Sequence, residues 1–372
     1  MLTKADDYPI HQDSVPVAYA TTDRNFYDRY FFNGYPQDAA EVGGDGHFGV
    51  AFGVYPGLNI MDASISVIVD GVQRNLHASK IMHMERMDTV VGPIRVEVVE
   101  ALHRLRVTVT DNPHGITADL TFTGRTMALE EPRFVHRIGP RTVMDYTRLT
   151  QNGTWEGWIE AGGRRFEVKA DRYRGTRDRS WGIRPVGAGD SQPVAPPPEP
   201  QFYWVWAPLN FDDCITLYHR NADAHDEAWN TNGVLCPVNG VPQEFARCRS
   251  EIAFKPGTRH AASASICFER EDRREFRIDL APQYTFYMQG LGYVGSEWGH
   301  GHFKGENETG YTEIVLAEAP ALSFEHLHVQ AFVHATLTDT DGSVRQGQGV
   351  LEQLFIGRHS TSGFTDLLDG AK

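Results

Sequence analysis

Arg104-Leu105-Arg106-Val107-Thr108-Val109-Thr110 places an apolar side chain at every odd position and a polar one at every even position. Side chains alternate across a strand with a period of two, so one face of this stretch is apolar and the other suits water. The period recurs upstream, where Ile94, Val96 and Val98 stand among Arg95 and Glu97. It recurs downstream in Thr117-Ala118-Asp119-Leu120-Thr121-Phe122-Thr123, beyond the breaker Asn112-Pro113-His114-Gly115. Short alternating strands about every 8–12 residues, separated by turn signals, predict an antiparallel sandwich or barrel.

Farther out the pattern holds. Ile65 to Val69 runs into the hairpin dipeptide Asp70-Gly71, and 154–168 reads as a hairpin turning at Ala161-Gly162-Gly163. Glycines among the apolar residues of Phe48 to Tyr55 fit a sheet that curls. Gly187 to Pro200 is the clearest break, because proline removes backbone donors and favours extended chain. Strand patterns resume at Phe202–Trp206 and Ile215–His219 and continue to Gly349–Ile356. The chain therefore reads as all-β, with two antiparallel β-barrels or sandwiches in tandem. The expected organisation is an arm over 1–22, a first domain over 23–186, a linker over 187–200, a second domain over 201–360 and a tail over 361–372.

Composition narrows the partners. The 372 residues carry a net charge of −14, which repels phosphate backbones and anionic lipid, so neither nucleic acid nor a membrane surface is expected. No apolar run approaches the roughly 18–20 residues of a membrane span, and the N-terminus lacks the apolar core of a signal peptide. Four scattered cysteines without a C-x-x-C pair fit reduced thiols and a cytoplasmic location. There is no G-x-S-x-G, no phosphate-binding G-x-x-x-x-G-K-[ST], no dinucleotide fingerprint and no H-E-x-x-H. Hence no cofactor and no metal are expected.

Three groups of residues could carry chemistry. Gly175 to Pro185 concentrates Arg177, Asp178, Arg179, Ser180 and Trp181. On a strand Arg177, Arg179 and Trp181 share one face, and Asp178 with Ser180 the other. Asp178 is the candidate acid, with Arg177 and Trp181 as candidate substrate contacts; the competing reading is an ion-pair cluster that closes the first barrel. Glu297-Trp298-Gly299-His300-Gly301-His302 offers two imidazoles at i, i+2 beside a carboxylate, suited to proton transfer near pH 7 or, with further ligands, to a metal. If this segment is extended, both rings lie on one side. Tyr203, Trp204 and Trp206 could line a pocket for a lipophilic ligand, and Glu352 is a carboxylate inside an apolar run.

These blocks also carry a family resemblance. The R-D-x-S-W-G turn at Arg177–Gly182, N-F-Y-D-R-Y-F-F-N-G at Asn25–Gly34, W-G-H-G-x-F-x-G at Trp298–Gly305 and G-V-L-E-Q at Gly349–Gln353 resemble the lipocalin-like hydroxyneurosporene synthase (carotenoid 1,2-hydratase) superfamily, over residues 22 to 360. The resemblance implies two tandem lipocalin-like barrels and cofactor-independent chemistry such as addition of water to an isoprenoid double bond; related barrels act as cyclases. The hydratases place their acid in Tyr-x-Asp-x-Asn-x-Gly. Asp178 and Gly182 match that pattern, whereas Thr176 and Ser180 replace its Tyr and Asn. The expected function is a lyase of hydratase or dehydratase type on a lipophilic isoprenoid or aromatic molecule, with Asp178, His300 and His302 as acid–base groups. The alternatives are C–C or C–O cleavage in aromatic catabolism, an isomerase or cyclase, and a lipocalin-like carrier. Oligomeric state is open, a homodimer included.

Overall fold

The computed structural model describes every residue except Asp190, Pro193 and Ser296. The first strands are β1 (Phe26–Pro36), β2 (Phe48–Tyr55), β3 (Ile60–Val69), β4 (Val72–Ile81), β5 (Val90–Val91) and β6 (Ile94–Glu100). They are followed by β7 (Arg104–Val109), β8 (Thr117–Gly124), β9 (Leu129–Glu130), β10 (Phe134–Ile138), β11 (Arg141–Ala161), β12 (Arg164–Val168) and β13 (Tyr173–Ile183). Next come β14 (Phe202–Phe211), β15 (Cys214–Ala222), β16 (Ala228–Pro237), β17 (Gln243–Phe245) and β18 (Cys248–Phe254). The last are β19 (Ala261–Glu269), β20 (Glu275–Tyr287), β21 (Glu308–Val315), β22 (Val329–Thr338) and β23 (Val344–Ile356).

The chain is all-β, as its period of two implies, and forms two compact units. One comprises Met1–Pro197 with Gln289–Ala317, the other Pro198–Met288 with Glu318–Lys372. Among the described residues the first unit holds a sheet ordered β21-β4-β3-β2-β1-β13-β11-β8-β7-β6-β5, with β9, β10 and β12 also paired to β11. The sheet curls until β5 and β6 come against β3. The second unit's sheet runs β17-β16-β15-β14-β23-β22-β20-β19-β18, and its ends approach at β16 and β18.

The units do not follow the sequence boundaries. Residues 289–317, expected in the second domain, belong to the first, because β21 satisfies the free edge of β4 from Glu308↔Ser79 to Val315↔Val72. Strand periodicity identifies a strand but not the sheet whose edge it completes. Of the expected linker 187–200, Asp190 and Pro193 lie outside the described residues, and the unit boundary falls between Pro197 and Pro198. The arm is more than irregular chain: Lys4–Asp7 forms a 3-10 turn that delivers a fully buried Asp7 to the first barrel.

Inward-facing residues fill each barrel. Phe32, Phe48, Val50, Ile65, Leu105, Val107, Phe122 and Trp155 belong to the first core; Val205, Leu209, Ile266, Phe268, Val333 and Leu351 belong to the second. The face away from the first core is divided. Over β6 to β8 it carries exposed charges such as the Arg106–Asp119 pair. Over β13, β1, β2, β3 and β4 it is polar and yet buried.

A candidate acid–base site on the buried polar face

The strand register sets the layout of that buried face, because residues directly opposite in an antiparallel pair project to the same side. One cross-strand row reads Arg148, Ser180, Arg29, Gly53, Asp62, Ser79. The next reads Thr150, Asp178, Phe31, Ala51, Ser64, His77. The β2 members are Gly49, Ala51 and Gly53, and the buried side chain of Tyr55, at the end of the strand on the same face, fills the space over Gly53. Two strand spacings put Arg29 and Asp62 roughly 10 Å apart, with Gly53 between them.

Asp62 anchors one side. Its Oδ1 accepts the Tyr55 hydroxyl at 3.1 Å and its Oδ2 the Gly301 amide at 2.6 Å. His300 Nδ1 lies 3.7 Å from Asp62 Oδ1, near enough for charge interaction but longer than a hydrogen bond. Tyr55 reaches Asp62 by folding over Gly53; a Cβ at that glycine would come within 2.1 Å of the Tyr55 hydroxyl. His300 is nine-tenths buried, its ring edge-on to Tyr293 with centroids 4.6 Å apart. Burial, with Arg29 nearby, lowers its pKa to about 4, so at neutral pH it is an uncharged imidazole. Its Nε2 is buried and has no hydrogen-bond partner among the described residues.

Next to this group, His77 Nδ1 meets Ser64 Oγ at 3.0 Å and its Nε2 meets Thr312 Oγ1 at 3.1 Å. Trp298 stacks on the His77 ring at 5.5 Å, and burial lowers that imidazole to about 4 as well. On β1, Arg29, only 2% exposed, lies over the Tyr293 ring at 4.7 Å. Asp178 is buried on the same face and interacts electrostatically with Arg29, Arg148 and Tyr27.

The structure therefore brings Asp178 and His300 to one face of the first unit. Glu297 is exposed, and His302 sits half-buried beside Gly299. The segment is a loop rather than a strand, so the two imidazoles do not form a matched pair; Ser296 lies outside the described residues. Arg177 and Trp181 lie on the other face of β13, as alternation requires. Arg177 Nη1 donates to Asp7 Oδ1 at 2.6 Å inside the barrel, while Arg179 pairs with Asp28. Burial alone would raise the Asp28 carboxyl, but Arg179 and His11 hold it below the ordinary range. Trp181 stacks on His11 with centroids 3.7 Å apart and lines a separate cavity of about 550 Å³ with Tyr146, Arg133 and Asp145. These arginines are ion-pair struts, since buried charges need partners.

The remaining candidates belong to the second unit. Tyr203 points into that unit's core, where it packs on Phe355 and His359. Trp204, Trp206 and Glu352 share the opposite face by register. Glu352 accepts Trp204 Nε1 at 2.7 Å, His328 Nε2 at 3.0 Å and Gln330 Nε2 at 2.6 Å. Burial would raise its carboxyl, but these partners hold it below the usual range.

The sequence matches DUF8625, a family of unknown function, over residues 2–365. The chain belongs to that family. Among curated proteins it has no match. Among solved structures this DUF8625 member resembles an AttH-like protein from Nitrosomonas europaea at 13% identity and TM-score 0.51, covering 88% of this chain and 92% of that one. It resembles kievitone hydratase from Nectria haematococca at 11% identity and TM-score 0.52, covering 94% and 98%. It also resembles CghA at 12% identity and TM-score 0.51, covering 94% and 95%. At such identities the likeness is one of fold.

Sequence reasoning missed Arg29, Tyr55, Asp62, His77 and Tyr293. A signal was present. Asp62, Ser64 and Ser66 alternate with apolar residues in β3, but they are short, unlike the long charged side chains that β6 and β7 show to water. A polar face of short side chains is a face prepared for cover.

Proposed function

We propose that this protein is a lyase of hydratase or dehydratase type that acts on a lipophilic isoprenoid or aromatic small molecule by general acid–base catalysis, without a cofactor. The observation that carries this reading is His300. It is a buried, neutral imidazole whose Nδ1 faces the Asp62 carboxylate and whose Nε2 is unpartnered among the described residues. A base oriented by a second group, with a free nitrogen, is suited to take a proton from water or return one to a leaving hydroxyl. Asp178, on the same face, supplies the second proton-transfer group. Kinship with the hydroxyneurosporene synthase superfamily is part of this proposal, and the fold likeness to a protein named kievitone hydratase is in keeping with it. No helix among the described residues is long and apolar enough to cross a membrane.

The test begins with the small molecule that co-purifies, identified by mass. Incubation in ¹⁸O-labelled water is expected to give a product heavier or lighter by one water, with label incorporated on hydration. Both His300→Gln and Asp178→Asn are expected to abolish most of that conversion. Recovery of the ligand unchanged after long incubation would make the protein a carrier and overturn the proposal.

A further inference from the structure

The Arg29 guanidinium is the least explained charge on the buried face. Its residue is 2% exposed, and its Nε and Nη1 are buried without a hydrogen-bond partner among the described residues. Its surroundings are aromatic: Tyr293 lies 4.7 Å and Tyr27 5.4 Å below it. Asp178 acts on it through charge. By contrast, Arg177 and Arg179 in the barrel each have an aspartate of their own. Leaving donors of a buried guanidinium unmade is costly, and a cation held that way is ready for an oxygen acceptor that arrives from outside.

Position adds to this. Arg29 and His300 both touch the Tyr293 ring, and each has a buried nitrogen without a hydrogen-bond partner among the described residues. A molecule bound beside Tyr293 would present one end to the guanidinium and another to the unpartnered Nε2 of His300. A fixed cation there opposes a carbocation and favours developing negative charge.

Resting on the acid–base reading above, we infer that the substrate carries an acidic oxygen, as an enolisable carbonyl or a phenol, and that Arg29 binds this oxygen as its anion. For an α,β-unsaturated carbonyl the hydration step then balances as follows. Water forms the new C–O bond at the β-carbon and gives its proton to His300 Nε2. The double-bond electrons move to the carbonyl oxygen, which becomes an enolate on Arg29. The imidazolium then passes its proton through water to the Asp178 carboxylate, which delivers it to the α-carbon. The net change is H and OH across the double bond, and dehydration is the reverse.

The test uses 4-nitrophenol, whose anion absorbs in the visible and which titrates near neutrality, against its neutral analogue 4-nitroanisole. Wild-type protein is expected to bind the phenolate form about tenfold or more tightly than the anisole and to raise phenolate absorbance at mildly acidic pH. Arg29→Met is expected to lose this preference and Arg29→Lys to keep part of it. No binding, equal binding of the two probes by wild-type protein, or an unchanged preference in a folded Arg29→Met protein would overturn the inference. The wild-type comparison stands even if Arg29→Met does not fold. None of these readings involves turnover, so failure here and failure of the lyase proposal are separable.

Discussion

Each unit sets a histidine beside a carboxylate on the face of its sheet away from the core, and the two pairs are finished differently. In the second unit Glu352 is saturated: Trp204, His328 and Gln330 all donate to it at 2.6–3.0 Å. Every one of these groups comes from or directly adjoins a strand, so the network is rigid. In the first unit Asp62 accepts from Tyr55 and Gly301, while His300, on a loop, stands 3.7 Å away with Nε2 unpartnered. A closed polar network stabilises and specifies its fold; an open one keeps capacity for a ligand. The two pairs are therefore expected to separate under mutation.

The largest separation concerns activity. His300→Gln is expected to lower turnover roughly a hundredfold or more, the usual range for removing a positioned acid–base group, with little change in melting temperature. Glu352→Ala is expected to do the opposite in kind. It leaves three buried donors without an acceptor and destabilises the second unit by about 3 kcal/mol or more. With two units a single unfolding midpoint is ill-defined, so hydrogen exchange at β22 and β23 is the better measurement. If Glu352→Ala leaves exchange there unchanged, the saturated network is not structural and the comparison breaks.

A smaller effect follows from pH. Burial lowers His300 and His77 from 6.5 to about 4 each. As pH falls below about 6.5 the unfolded chain takes up these protons before the folded one does. The stability that the neutral rings contribute is thus fully present above about 6.5 and is lost progressively down to about 4. Glu352, held below its ordinary 4.5, loses its contribution only at more acid pH. Hydrogen-exchange protection followed from pH 7 to pH 4 is expected to fall in the first unit's β3 and β4 first. His77→Asn is expected to flatten that slope; an unchanged slope would mean His77 is not a buried neutral ring.

How much of this the sequence carried depends on which interaction decided each element. Leu105, Val107 and Val109 read as buried and are, because alternation is local and their strand lies between two others. The division of β13 into two faces was legible for the same reason; that Arg177 and Arg179 go in while Asp178 and Ser180 go out was not. The arginines' partner Asp7 was not legible, since the pairing spans 170 residues. Nor was the transfer of 289–317 to the first unit, which depends on which sheet edge lies open. His300 stood out through the glycines around it, whereas Asp62, its neighbour in space, sits in an ordinary alternating strand. Site residues drawn from regular strands look like surface until their cover is known.

The smallest expected effect probes that cover. Gly310 on β21 lies opposite His77, and a Cβ there would come within 2.3 Å of the Trp298 ring. Trp298 is carried by the same loop as His300, and it covers His77 by stacking. Gly310→Ala therefore forces the indole to shift, an overpacking cost of about 1–3 kcal/mol that a loop can partly relieve. The shift would admit water to His77, raise its pKa back towards 6.5 and weaken the acid-dependent loss of stability. It would also loosen the tether of His300 to Asp62, which the Gly301 amide shares. The measurement is the His77 ring titration by NMR, alongside turnover. A His77 that still titrates near 4 in a folded Gly310→Ala protein would show that the loop holds its place without Trp298, and that the openness of this pair comes from the strands alone.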